Sequence, residues 1–60
     1  MNIAYLRNYC AEKITQHPKL QVQIIDCFIL AVDEIEEGGS EQHEVDLAIN
    51  NIEELIQEAQ

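Results

Sequence analysis

The chain has 60 residues, of which 47% are hydrophobic, and its twelve acidic and three basic residues give a formal charge of −9. This length allows one domain whose core is marginal, so a further source of stability such as self-association is expected. Arg7, Lys13 and Lys19 are the only bases, and eleven of the acids follow them. Direct nucleic-acid binding is excluded, because phosphate contacts need clustered bases; basic protein surfaces are favoured instead.

The cysteine content and the hydropathy pattern indicate a soluble, cytoplasmic protein. Two cysteines are few for a disulfide-dependent secreted domain, and both lie among apolar neighbours, so we expect free thiols. The first residues lack the basic and apolar regions of a secretory signal. Gln23 and Asp26 interrupt the long apolar run before the ~18 residues that a membrane span needs.

A first helix is predicted over about 2–16. Tyr5 and Tyr9, spaced i, i+4, are expected on the flank opposite its apolar stripe. They would either pack at the rim with their hydroxyls in water or form a contact surface. The stripe consists of Ile3, Leu6, Cys10 and Ile14.

Pro18 predicts a short break, after which a second helix covers about 19–37. A single helix kinked at Pro18 is the alternative. Ten of the fourteen residues in 22–35 are apolar, so this helix should be central and packed on at least two sides. Gly38 and Gly39 are expected to cap it. Its last turns carry Asp33, Glu34, Glu36 and Glu37, where the helix dipole disfavours negative charge.

A third helix is predicted over about 41–58, with Ser40 as its N-cap and Glu41 in its first turn. Its apolar residues occupy an arc of about 120°, and most of its charged residues lie outside that arc. Leu47 departs from the pattern and is expected on the polar face.

The window 33–44 resembles a calcium-binding loop, with acids at its first, fifth, ninth and twelfth positions and glycine at its sixth. Its third position is Ile35, which offers no oxygen, so a helix end with a glycine turn is the preferred interpretation. His17 and His43 lack partners at metal-ligand or catalytic spacing. The sequence therefore predicts no catalytic residue, cofactor or metal ligand, and a protein that is not an enzyme.

Together the patterns predict an all-α protein with one helical domain over 1–60. Helices 2 and 3 should form an antiparallel hairpin, and helix 1 should pack across it. The central helix carries more apolar surface than this cover can bury, so we expect a homodimer.

The acid-rich surface of helices 2 and 3 has three interpretations. It is either a solubilising face, part of a regulatory adaptor or inhibitor that docks on a basic partner, or a nucleic-acid mimic that inhibits a DNA- or RNA-binding protein. The second is preferred as the function, mimicry is the alternative, and a calcium-responsive helix-loop-helix ranks last. The residues predicted to contact a partner are Tyr5, Tyr9, Leu30, Leu47, Asp33, Glu34 and Glu37.

Overall fold

The computed structural model describes residues 2–60 and is helical throughout, which confirms the all-α class; the first residue of the predicted domain lies outside the description. Helix α1 spans Ile3–Gln16, α2 spans Gln21–Glu36 and α3 spans Glu41–Ala59. A short 3₁₀ turn, Pro18–Leu20, connects α1 to α2. The three helices pack as a compact bundle, in which α2 and α3 share the most extensive contact and α1 touches both.

The break between α1 and α2 differs in detail from the prediction. The backbone of His17 leaves the helical region, at φ −135° and ψ 68°, so the chain does not continue as one helix kinked at Pro18. Helix α2 begins at Gln21 rather than at residue 19. The reason is that the amide of Leu20 donates to the carbonyl of His17 at 2.9 Å, which tightens the first turn into 3₁₀ geometry.

The end of α2 has the glycine cap that the sequence predicts. Gly38 has a positive φ of 103°, and its amide donates to the carbonyl of Ile35 at 3.1 Å. The amide of Gly39 reaches back to the carbonyl of Glu34 at 2.8 Å. These two bonds form a Schellman motif, which satisfies carbonyls at the end of α2 and turns the chain into α3.

Polar caps fix the start of α1 and of α3. The Asn2 side chain accepts from the amide of Tyr5 at 2.9 Å, and Ser40 Oγ accepts from the amide of His43 at 3.4 Å, as predicted for Ser40. A longer connection was not predicted: Glu41 Oε2 accepts from the amide of Ile3 at 2.8 Å. The first turn of α3 therefore caps α1 and holds the two N-termini at the same end of the bundle.

The core lies between all three helices and contains only apolar side chains. Its buried members are Leu6, Cys10, Ile24, Ala31, Val45, Ala48 and Ile52. Only two of them, Ile24 and Ala31, come from α2. Half-buried side chains such as Phe28 pack around this set, but a large part of the apolar surface of α2 remains outside the core.

Tyr9 corrects the prediction for α1. It is half-buried and packs against the core, rather than pointing away from the hairpin beside Tyr5. Tyr9 precedes Cys10 and follows Leu6 by three residues, so it lies at the edge of the buried stripe and not opposite it. Tyr5 is exposed, as expected.

Candidate interaction surfaces

Helix α2 exposes large apolar side chains although it is the most hydrophobic element. Val22 is 69% exposed, Ile29 48% and Leu30 63%, whereas Ile24 is completely buried. Isolated exposed apolar residues are common on protein surfaces, but neighbouring ones on one helix form a patch. Ile25 lines a depression with residues of α1, Leu30 lines one with residues of α3, and Val22 and Ile29 share a side of α2 with Ile25.

The first group forms what we call the α1–α2 face, consisting of Val22, Ile25 and Ile29 with the neighbouring Ile14 and Phe28. Val22, Ile25 and Ile29 follow i, i+3, i+7 spacing and therefore lie along one side of α2. Ile25 lines a depression of about 200 Å³ between α1 and α2. Its lining consists of Arg7, Cys10, Ala11, Ile14, Ile25 and Phe28.

The second group contributes to what we call the α2–α3 groove, an open depression of about 330 Å³. Leu30 and Leu47 line it together, and the small residues Ala31 and Ala48 lie deeper, where they are buried. The complete lining is Cys27, Leu30, Ala31, Glu34, Glu44, Leu47, Ala48 and Asn51. Only residues 37–40 separate α2 from α3, and a connection this short joins helices that pack as antiparallel neighbours.

Charge is distributed unevenly between these surfaces. Helix α1 carries two bases, Arg7 and Lys13, and one acid, Glu12, whereas α3 carries six acids and neither lysine nor arginine. Within the α2–α3 groove, Glu34 and Glu44 lie at the end nearest the glycine turn. The other end has the uncharged Cys27 and Asn51, so the groove is acidic at one end only.

The structure brings together three of the seven residues predicted to contact a partner. Leu30, Leu47 and Glu34 all line the α2–α3 groove. Tyr5 is exposed on α1 and does not line this groove. Tyr9 is half-buried and packs against the core. The remaining two, Asp33 and Glu37, are exposed at the end of α2.

Sequence reasoning missed the α1–α2 face as a specific surface. Ile25 and Ile29 belong to the apolar run that defines α2, and nothing in their spacing distinguishes them from the buried Ile24. The signal in the sequence is the apolar arc of α2, which is wider than the other helices can cover. That width indicates exposed apolar surface but not where on the helix this surface lies.

The ionisable side chains near the core have raised pKa values. Burial, with a smaller contribution from Cys27, raises the pKa of the Cys10 thiol to about 11. Burial followed by the charge of Asp26 also raises the pKa of Cys27, and burial followed by Glu53 raises that of Tyr9. Both thiols are therefore protonated at neutral pH, whereas a nucleophilic cysteine needs a lowered pKa.

Lys13 Nζ lies 5.4 Å from the Tyr9 ring centroid, within cation–π distance.

The calcium-like window is mostly helical. Asp33 to Glu36 belong to α2 and Glu41 to Glu44 belong to α3, so only 37–40 lie between the helices. Within the described residues 2–60, no group of three or more histidine, cysteine or acidic side chains is arranged to hold a metal ion.

Across residues 2–60, none of the helices combines the length and hydropathy required to cross a bilayer. No protein-family model, curated protein or solved structure matches this chain.

Proposed function

We propose that this chain is a small acidic protein–protein interaction module that acts as a regulatory adaptor or inhibitor of a basic partner. The observation that carries the proposal is the exposure of Val22, Ile29 and Leu30 on the central helix. A helix that packs only inside its own domain normally shows one polar side to solvent. Apolar side chains on that side, surrounded by acids, favour contacts with another protein.

We also propose that the α1–α2 face pairs two copies of the chain. Two molecules of charge −9 repel each other, so pairing is least unfavourable where a base lies beside the apolar residues. Arg7 lines the depression on this face, and Lys13 lies on the same helix α1. The α2–α3 groove, with Glu34 and Glu44, would place acids of the two copies near one another. A second copy therefore fits the α1–α2 face better.

Light scattering tests this pairing. The chain of 6.9 kDa should show about twice that mass at ~100 μM in moderate salt, because burying the α1–α2 face supplements a marginal core. Replacing Ile29→Glu should weaken pairing at least about tenfold, as a charge in a buried interface centre does. Leu30→Glu is the matched control, since it adds the same charge to the next residue but outside this face. A folded wild-type monomer under these conditions contradicts the pairing.

The α2 surface does not favour nucleic-acid mimicry. A mimic must present its carboxylates over one continuous surface in place of phosphates. On α2 the exposed Ile29 and Leu30 interrupt the exposed acids Asp26 and Asp33. An adaptor that combines apolar anchors with surrounding acids fits this arrangement better.

A reducing, cytoplasmic location is proposed from the thiols. Cys10 and Cys27 are both free, and Cys10 is buried. Two free thiols in denatured protein purified without reductant would agree with this location, and none would indicate an oxidising compartment.

A further inference from the structure

We infer that the α2–α3 groove binds one amphipathic helix of a partner, with apolar side chains against Leu30 and Leu47 and basic residues at the Glu34–Glu44 end. This inference rests on the proposed interaction function and specifies the chemistry of the partner. It concerns the acidic groove and not the α1–α2 face, which is assigned to a second copy.

The α2–α3 groove lies on the side of the hairpin that α1 does not cover. A helical hairpin presents one groove on each side, and α1 packs across α2 and α3 on one of them. The lining of the α2–α3 groove includes no residue of α1, so this groove is open. A helix laid there would complete a four-helix arrangement, with its contacts made by both members of the hairpin.

The floor and walls of the groove suit side chains projected from a helix. Ala31 and Ala48 are small and deep, while Leu30 and Leu47 stand beside them and are 63% and 45% exposed. The α2 side of the lining extends from Cys27 to Glu34, which corresponds to about 10 Å along a helix axis. That length accepts apolar anchors at i, i+3 or i+4, and i+7 of a bound helix.

The charges specify the partner further. Glu34 and Glu44 line one end of the groove, and the exposed Glu37 and Glu41 lie close by in sequence around the glycine turn. Glu44 is half-buried, and its Cγ would lie 3.5 Å from a Cβ atom placed on Gly39, so its stem packs near the turn. A bound helix with lysine or arginine at this end matches the acids, whereas an acidic or neutral helix leaves them uncompensated.

The probe is a fluorescein-labelled peptide of about 18 residues, with leucines at i, i+3 and i+7 and lysines concentrated at one end. Its binding is followed by fluorescence anisotropy. The control peptide has the same composition in scrambled order, which preserves the charge but removes the apolar stripe. We expect the scrambled peptide to bind at least about tenfold more weakly, because the groove requires apolar anchors as well as bases.

Protein variants locate the binding. Leu30→Ser and Leu47→Ser should each weaken the peptide at least about fivefold, because both remove an exposed wall of the groove. Combining Glu34→Gln with Glu44→Gln should reduce the dependence of affinity on salt. Ile29→Ser, on the α1–α2 face, should leave affinity unchanged. Circular dichroism verifies that each variant is folded.

Several outcomes overturn the inference. These are no binding up to about 1 mM, equal binding of the two peptides, or an affinity that responds to Ile29→Ser but not to the groove variants. The last outcome leaves the interaction function intact and moves its site to the α1–α2 face. A chain that neither binds the peptide nor pairs in light scattering loses the proposed function as well.

Discussion

Glu41 connects two helices that are far apart in the sequence. Its carboxylate lies in the first turn of α3 and accepts a hydrogen bond from the amide of Ile3 at the start of α1. Helix N-termini have unsatisfied amides and a positive dipole end, so one carboxylate is favourable for both helices here.

This position predicts opposite effects for two glutamates on α3. Glu41→Ala should lower the free energy of unfolding by about 1 kcal/mol, the usual cost of losing a helix cap. Glu58→Ala is the control: it removes the same charge near the C-terminus of α3, where the dipole disfavours acids, and should be neutral or slightly stabilising. Urea unfolding at equal protein concentration measures both. Equal changes in the free energy of unfolding would indicate that the hydrogen bond from Ile3 to Glu41 adds no stability.

The buried thiol of Cys10 makes stability sensitive to alkaline pH. Its pKa is raised from the ordinary 9.0 to about 11 in the folded protein, mainly by burial. The unfolded chain therefore loses this proton first as pH rises, and deprotonation favours unfolding. The protonated Cys10 thiol contributes fully to the free energy of unfolding below pH 9, and this contribution is lost between about pH 9 and 11.

Urea unfolding between pH 8 and 11 should show this loss, on the order of 2 kcal/mol for Cys10. Cys10→Ala should make the free energy of unfolding fall less steeply with pH. The fall that remains in this variant comes from Cys27 and Tyr9, whose pKa values are also raised. An identical decline in the wild type and the variant would show that the thiol of Cys10 is not protected in solution.

At the scale of the helix, α2 has residues of similar chemistry in opposite environments. Ile24 is completely buried and Val22, two positions earlier, is 69% exposed. Ile24→Ala should cost about 2–5 kcal/mol, through lost burial and the cavity left behind, which is enough to unfold much of a marginal domain. Val22→Ala should change stability by less than about 0.5 kcal/mol in the monomer. If Ile24→Ala and Val22→Ala lowered the thermal stability equally, α2 would not bury Ile24 and expose Val22 as described.

Much of the helical architecture was predictable because its signals are local. The apolar stripe of α3, the cap at Ser40 and the Gly38–Gly39 turn each follow from residues within one or two helical turns. The 3₁₀ turn at Pro18–Leu20 was missed because a proline-containing first turn fits both α and 3₁₀ geometry until tertiary packing selects one.

The candidate surfaces were harder to predict because they depend on how the helices rotate against each other. Leu47 was expected on the polar face of α3 and Leu30 in contact with a partner, but their meeting in one groove requires the register of α2 against α3. Tyr9 was misplaced because it lies at the boundary of the α1 stripe, where a small rotation decides between core and solvent. The link from Glu41 to Ile3 spans 38 positions and has no local signal.

At the scale of the whole molecule, α2 contributes to two different surfaces. The depression between α1 and α2 is apolar with Arg7 in its lining, and the depression between α2 and α3 is an apolar groove with acids at one end. The first is proposed for a second copy and the second for a basic helix. Because they use different residues, pairing and partner binding can occur together.

Methyl chemical shifts during dilution test this division most directly. Isoleucine, leucine and valine methyl groups are labelled, and spectra are recorded from about 500 μM down to about 1 μM, a range that spans a dissociation constant of about 10 μM, as the dimer at ~100 μM requires. The account predicts concentration-dependent shifts for Ile14, Ile25 and Ile29, with Leu30 and Leu47 unchanged. Shifts centred on Leu30 and Leu47, or none at any methyl group, would contradict it.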